Sequence, residues 1–540
     1  MRPIQEIASV LGLDEKSIVP YGHHKAKIPL ESVDTSGPRG KLIVVTGITP
    51  TRAGEGKTTV TVGLTQGLGK LGERVVANLR EPSLGPIFGI KGGGTGGGKT
   101  TVMPEDEINI HFTGDAHAVG SAHNLLAALT DNAVQRGQIE GLGPEGITWR
   151  RVTDVEDRAL RSIMTGIGGE ANAPVRETGF DIVTASEVMA VLALASGLED
   201  LRARLSRMVV GFTRSGSPVT AQDVGAVGSM MSLLRYAIQP NLVQTAEGQP
   251  VMVHAGPFGN IAHGCSSVVA DRIGLSLADY VVTEAGFGAD LGFEKFMHIK
   301  ARFNDLDPHA AVIVASVRAL KSHAGVPLAR LNDSNANAVD EGMPNLVHLI
   351  GVIRSFNLPV VVAINRFPAD TDDEIATVRG ALDGLDGVRA AESRGFVEGG
   401  DGCIELARAA MDASSGDRPD ISYLYPEDAS IEDKVLALAQ KVYNAADVAW
   451  APVARRRLKI YQDLGWGRLP ICMAKTNLSI SHNARLKGRP SGYTFEISDV
   501  RASAGAGFIY PLAGTMVTMP GLPASPRALD VDEKGNILGL

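Results

Sequence analysis

Residues 46–59 constrain the fold more than any other stretch, because they read as a phosphate-gripping loop set between a strand and a helix. Ahead of the loop, Leu42, Ile43, Val44 and Val45 form a short apolar, β-branched run, the composition of a strand buried on both faces. Gly54, Glu55, Gly56, Lys57, Thr58 and Thr59 follow. Glycines let backbone N–H groups close around phosphate oxygens, Lys57 is long enough to reach the β- and γ-phosphates, and the Thr58 hydroxyl can ligate Mg²⁺. Residues 60–71 read as a helix whose N-terminus points at those phosphates. The general phosphate-loop pattern has a glycine where Thr51 stands, so the match is to its Gly-Lys-Thr half. The order strand, loop, helix supplies the context; the competing reading is a glycine-rich turn with an exposed lysine.

The rest of the chain repeats the strand–helix rhythm. A second strand over 74–79 ends at Arg80, Glu81 and Pro82. In a parallel sheet ligands sit at the carboxyl ends of the strands, which sets Arg80 beside the phosphates; otherwise it is a surface arginine paired with Glu81. Residues 85–98 are glycine-rich, with Gly92 and Gly98 inside two glycine triplets, and read as a mobile or ligand-lining loop, closed by Lys99. A strand is expected over 108–112 and a helix over 115–136, with Asp115 either capping that helix or holding a cation. His111, His117 and His123 lack the spacing of a helical zinc pair, and no metal site is read from them. A helix over 187–205 and strands at 209–210, 251–254, 279–283, 312–317 and 359–364 imply parallel β-α-β units. Glu284, Gly286, Gly288 and Asp290 form a turn that either holds Mg²⁺ through water or simply reverses the chain. The patch His23, His24, Lys25 and Lys27 reads as a solvated surface.

A chain of 540 residues exceeds what one hydrophobic core supports. The expected division is a P-loop ATP-binding α/β domain over 1–350, a second domain over 351–450 where charged helices begin, and a β-rich C-terminal domain over 451–540. The fold class is α/β, a P-loop nucleotide-binding domain with a mostly parallel sheet and two smaller C-terminal domains. A net charge of −8 argues against a surface built to neutralise nucleic-acid phosphates or anionic lipid. Three distant cysteines, Cys265, Cys403 and Cys472, show neither zinc nor disulfide spacing and suit a reducing cytoplasm. No run approaches a membrane span, and the first residues do not read as a signal.

Several long motifs resemble the formate–tetrahydrofolate ligase family: the run at 51–59, Arg80 to Pro86, Asn109 to Asp115, Glu284 to Gly292, and Thr518 to Pro523. They span the chain nearly end to end. The resemblance implies ATP-dependent joining of formate to tetrahydrofolate through formyl phosphate, with Mg²⁺ accompanying ATP, a monovalent cation (K⁺ or NH₄⁺) as activator, and a homotetramer. It further implies that Thr51, Arg52, Ala53, Gly54, Glu55, Gly56, Lys57 and Thr58 hold ATP, that Lys57 and Arg80 act on the transferring phosphoryl group, and that Glu81 and Asp115 lie near the monovalent cation. Phe367 and Phe396 match the two aromatic residues that hold the pterin, which agrees with the gain a flat heteroaromatic ring makes between aromatic faces. Three positions depart from the family pattern: Arg52 stands for proline, Lys99 for an aromatic residue and Phe396 for tryptophan. Arg52 also stands where one class of P-loop ATPases carries a signature lysine, so an ATPase switch or partitioning protein is the alternative; such proteins lack the folate-side motifs.

Overall fold

The structure is a computed structural model that describes residues 1–37, 39–89, 94–169 and 171–539. Eight strands form the spine of one sheet: β1 (Lys41–Gly47), β2 (Val75–Leu79), β3 (Asn241–Thr245), β4 (Pro250–Val253), β5 (Tyr280–Glu284), β6 (Ala310–Ala315), β7 (Val360–Asn365) and β8 (Val388–Ser393). Their order across the sheet is β3-β4-β2-β5-β1-β6-β7-β8. Every pairing from β4 to β8 is parallel, and β3 joins antiparallel. Four short strands, including Ala26–Lys27 and Thr100–Met103, extend the β3 side. The central strands are buried along almost their whole length, as their unbroken apolar runs require when helices cover both faces.

The helix after β1, α1 (Lys57–Lys70), buries Val60, Leu64 and Leu68 in one apolar cluster with Val45 of β1, Val75 of β2, Val282 of β5 and Leu406, Ala407 and Ala410 of the helix Ile404–Ala413. Its N-cap, Gly56, has φ 73°, and a Cβ there would lie 2.2 Å from Asn365 Nδ2, so glycine is required twice over. The expected domain division at residue 350 falls inside this continuous sheet, because β7 and β8 extend it beyond β6. The charged texture beyond 369 belongs to helices such as Asp372–Asp383 that carry an acidic first turn and a solvated face. Toward the C-terminus, Asp499–Ser503 and Phe508–Leu512 form a hairpin, as the β-rich ending suggested.

Local expectations fail where a partner distant in sequence decides. Residues 108–112 are not a strand: the chain is helical over Glu105–Ile110, with Glu105, Asp106 and Glu107 in a first turn that favours negative charge. The single helix expected over 187–205 is two, Glu187–Leu194 and Leu198–Ser206, broken around Gly197. Val209–Phe212 pairs with Pro218–Thr220 outside the main sheet.

Lys25 and Lys27 do not belong to a solvated patch. Lys27 is 1% exposed, and its Nζ donates to both carboxylate oxygens of Asp115 at 2.9 Å, to Asn241 Oδ1 at 2.9 Å and to Gln239 O at 3.1 Å. Pairing Ala26 and Lys27 with β3 turned the lysine inward. Lys27→Met is expected to cost about 3–5 kcal/mol, the scale for stranding one partner of a buried pair. Adding Asp115→Asn should recover part of it in a denaturant titration; equal losses in both variants would show the pair contributes little.

Candidate active site

Three candidate side chains come from the carboxyl ends of three adjacent parallel strands. Arg80 follows β2, Glu284 ends β5, and the phosphate loop follows β1, in the spatial order β2-β5-β1. This is the edge of an open α/β sheet where ligands bind. Lys57 Nζ donates to Glu284 Oε1 at 2.7 Å and Thr58 Oγ1 donates to Glu284 Oε2 at 2.9 Å. Burial alone would raise the Glu284 carboxyl. Attraction from Lys57 and Arg80, together with the two hydrogen bonds, outweighs it and holds the group below the usual carboxylate range. Lys57 is therefore not a free point charge awaiting phosphate but one half of an ion pair. Glu284, which the sequence left between a Mg²⁺ ligand and a turn, is at the centre of the loop's chemistry. Thr58 and Glu284 together are hard oxygen donors of the type Mg²⁺ takes.

Arg80 lies against the backbone of the two segments that flank β5. A Cβ at Gly286 would lie 3.2 Å from its Nη2 and one at Gly264 3.9 Å from its Nη1. Among the described residues it forms no ion pair, and the alternative reading that paired it with Glu81 is not met; its charge is felt by the Glu284 carboxylate. Within the loop, Glu55 Oε1 accepts the Thr51 amide at 2.6 Å, and burial raises its carboxyl to about 7 against the pull of that hydrogen bond and of Lys57.

Glu81 and Asp115 are brought together in the interior. Burial first, then the neighbouring Asp115 carboxylate, push the Glu81 carboxyl well above the usual range, and its Oε2 has no hydrogen-bond partner. Asp115 opens the helix Asp115–Gln135 without capping it and is satisfied by Lys27 and by Asn241 Nδ2 at 2.8 Å.

Phe367 and Phe396 leave β7 and β8, whose ends are in register at Asn365 and Ser393, so both emerge on the same sheet edge as the phosphate loop. Asn365 Nδ2 also donates to Glu55 O at 2.9 Å, tying that end of β7 to the loop. The Arg318 guanidinium stands 5.3 Å from the Phe367 ring centre. Phe396 is 46% exposed and lies over the backbone of Gly97 and Gly98; its carbonyl accepts the Lys99 amide at 3.0 Å. Gly92 and Gly93 of the expected mobile or ligand-lining loop lie outside the described residues. A cavity of about 1120 Å³ lined by Trp149, Glu187, Tyr461 and Arg501 contains none of these residues, and another of about 1030 Å³ is lined by Glu81, Pro82 and Phe112, so volume does not single out one place; the phosphate geometry decides for the strand ends.

Strand order and loop together make this a P-loop nucleotide-binding α/β protein. Which one is settled by comparison with known proteins. The family model of formate–tetrahydrofolate ligase matches residues 1–540, and the chain belongs to that family. The formate–tetrahydrofolate ligase of Roseiflexus sp. (strain RS-1) is 54% identical over 552 residues, covering 100% of this chain and 98% of that protein. The corresponding ligases of Roseiflexus castenholzii (strain DSM 13941 / HLO8) and Desulforamulus reducens (strain ATCC BAA-1160 / DSM 100696 / MI-1) are 53% and 52% identical, each over 100% of this chain and covering 98% and 97% of the relative.

Proposed function

We infer that the protein ligates formate to tetrahydrofolate with ATP, giving 10-formyltetrahydrofolate, ADP and phosphate. Formate is a poor acyl donor because its oxygen leaves badly. A formate oxygen attacks the γ-phosphorus, ADP departs, and the resulting formyl phosphate carries a good leaving group. The tetrahydrofolate amine attacks the formyl carbon, phosphate leaves, and the nitrogen loses its proton. Charge spreading over the transferring phosphoryl oxygens is the main obstacle the protein meets in the first step. Lys57 and Arg80, flanking Glu284, are the groups suited to neutralise it. Residues 51–58 would hold the phosphates, and Thr58 with Glu284 would hold the Mg²⁺ that accompanies ATP and adds positive charge there. The observation that carries this reading is the line Arg80–Glu284–Lys57 across three neighbouring strand ends, with two aromatic side chains on the same edge. ADP release by the purified protein should require formate and tetrahydrofolate together; turnover of ATP without formate would point instead to an ATPase.

Phe367 and Phe396 would sandwich the pterin, Phe367 following the rigid β7 and Phe396 on the glycine bed. Such stacking is worth roughly 0.5–1.5 kcal/mol beyond burial, and an indole offers more face than a phenyl ring. Phe396→Trp is expected to lower the KM for tetrahydrofolate and Phe396→Ala to raise it, both with an unchanged KM for ATP. Parallel damage to all three substrates with a lower melting temperature would mean an ordinary packing residue.

The unpartnered, buried Glu81 oxygen supports a monovalent cation, K⁺ or NH₄⁺, beside the Glu81–Asp115 pair. Three buried free thiols support a cytoplasmic location, and among the described residues no helix is long and apolar enough to cross a membrane. Exposed Met164, Ile167 and Val175 around one hairpin are apolar surface of the kind a homotetramer would cover.

A further inference from the structure

The chain's most unusual loop residue, Arg52, has a partner that the sequence could not have suggested. It is exposed on the outer lip of the phosphate loop, and among the described residues it meets no carboxylate. Lys487, 435 positions further on (487 − 52), is likewise exposed and without an acidic partner; its Nζ donates only to Leu478 O, at 2.8 Å. Burial first, then the Arg52 guanidinium, hold the Lys487 ammonium below the usual lysine range, so the two cations feel one another.

Their approach is not an accident of two flexible side chains, because a buried frame fixes the backbones that carry them. Asn345 Nδ2 donates to Thr49 Oγ1 at 3.1 Å and to Gly488 O at 2.9 Å, joining the start of the phosphate loop to the residue after Lys487. His323 Nε2 donates to Thr49 O at 2.8 Å. Beneath them Lys475 Nζ donates to Asp290 Oδ2 and to Ser479 O, both at 2.6 Å, which anchors the segment containing Lys487.

Charge balance says what the pair is for. The loop's own lysine is already matched by Glu284, and Glu55 is turned onto the Thr51 amide. Arg52 and Lys487 are thus unmatched positive charges on the lip of a loop whose nucleotide brings several negative ones. Two like charges held together without a counter-ion repel, and an anion between them removes the repulsion. A guanidinium fork beside an ammonium suits phosphate oxygens. The aromatic pair leaves β7 and β8, on the far side of β6 from the loop's strand.

We propose that Arg52 and Lys487 form a two-cation clamp that holds the phosphate chain of the bound nucleotide from the solvent side, bringing the C-terminal segment into the ATP site. This rests on the nucleotide reading of the loop. Titration calorimetry of the full-length protein with MgATP tests it in Arg52→Gln, Lys487→Met, the double variant and Lys57→Ala. Each single clamp variant should bind ATP about two- to fivefold more weakly, the range for partly exposed charge contacts. Raising the salt concentration should narrow the gap from wild type. Lys487→Met lies outside the loop and leaves its backbone untouched, so its result stands even if Arg52→Gln disturbs the loop. Wild-type ATP affinity in both single variants, with affinity lost in Lys57→Ala, overturns the clamp alone. Unchanged ATP affinity with a raised KM for tetrahydrofolate also overturns it and gives the pair to the folate carboxylates. Wild-type affinity in Lys57→Ala overturns the nucleotide reading and the clamp with it.

Discussion

Lys57→Ala is expected to reduce ligation by on the order of 10³ or more, because on the proposed reading it removes the loop lysine that would neutralise the transferring phosphoryl group. It should also lower stability, an effect that follows from the ion pair. Glu284 is buried, and without Lys57 its carboxylate keeps only the Thr58 hydroxyl and the field of Arg80. Stranding a buried polar partner costs about 1–3 kcal/mol, more when it is charged. The two effects separate in a double variant. Lys57→Ala with Glu284→Gln removes the stranded charge, so thermal unfolding should move back toward wild type while formate- and tetrahydrofolate-dependent ADP release stays lost. If activity returned with stability, the lysine would be a structural partner of Glu284 and nothing more.

Arg80→Ala is expected to lose turnover by about 10²–10³, the scale for removing one preorganised donor that acts on charge developing in the transition state. ATP affinity should change little, because Arg80 lies two strands from the loop, on the far side of Glu284. Stability should change little as well: the guanidinium has no ion pair to break among the described residues and rests on glycine backbone. Pre-steady-state measurement of ADP formation, set beside equilibrium ATP binding, distinguishes the cases. A large loss of ATP affinity at nearly normal turnover would make Arg80 a ground-state ligand.

What was legible in the chain follows from which interactions are local. The Gly54–Thr58 run between an apolar strand and a helix declares itself in sequence because each requirement, positive φ at Gly54 and Gly56, a helix start, a reachable lysine, is met within a dozen residues. The ends of β2 and β7 were legible for the same reason; the first placed Arg80 beside the loop, whereas Phe367 entered the candidate site only through the resemblance to the family. Lys27 was misread because its neighbours His23, His24 and Lys25 suggest a wet patch, whereas its partner Asp115 is 88 residues away. Residues 108–112 were misread because apolar side chains at that spacing suit a strand as well as a helix.

The sequence by itself determined the fold class and the position of the phosphate loop, since periodicity and motif spacing are properties of contiguous residues, and its long motifs carried the resemblance that named the family. Only the tertiary structure decided that Glu284 holds Lys57 and Thr58, that β7 and β8 continue the central sheet past residue 350, and that Asn345 ties Thr49 at the start of the loop to Gly488, next to Lys487. Each of those facts depends on strand order or on packing between segments far apart in the chain. A charged side chain can be completed by any opposite charge the fold delivers, and nothing in its own neighbourhood says which one will arrive.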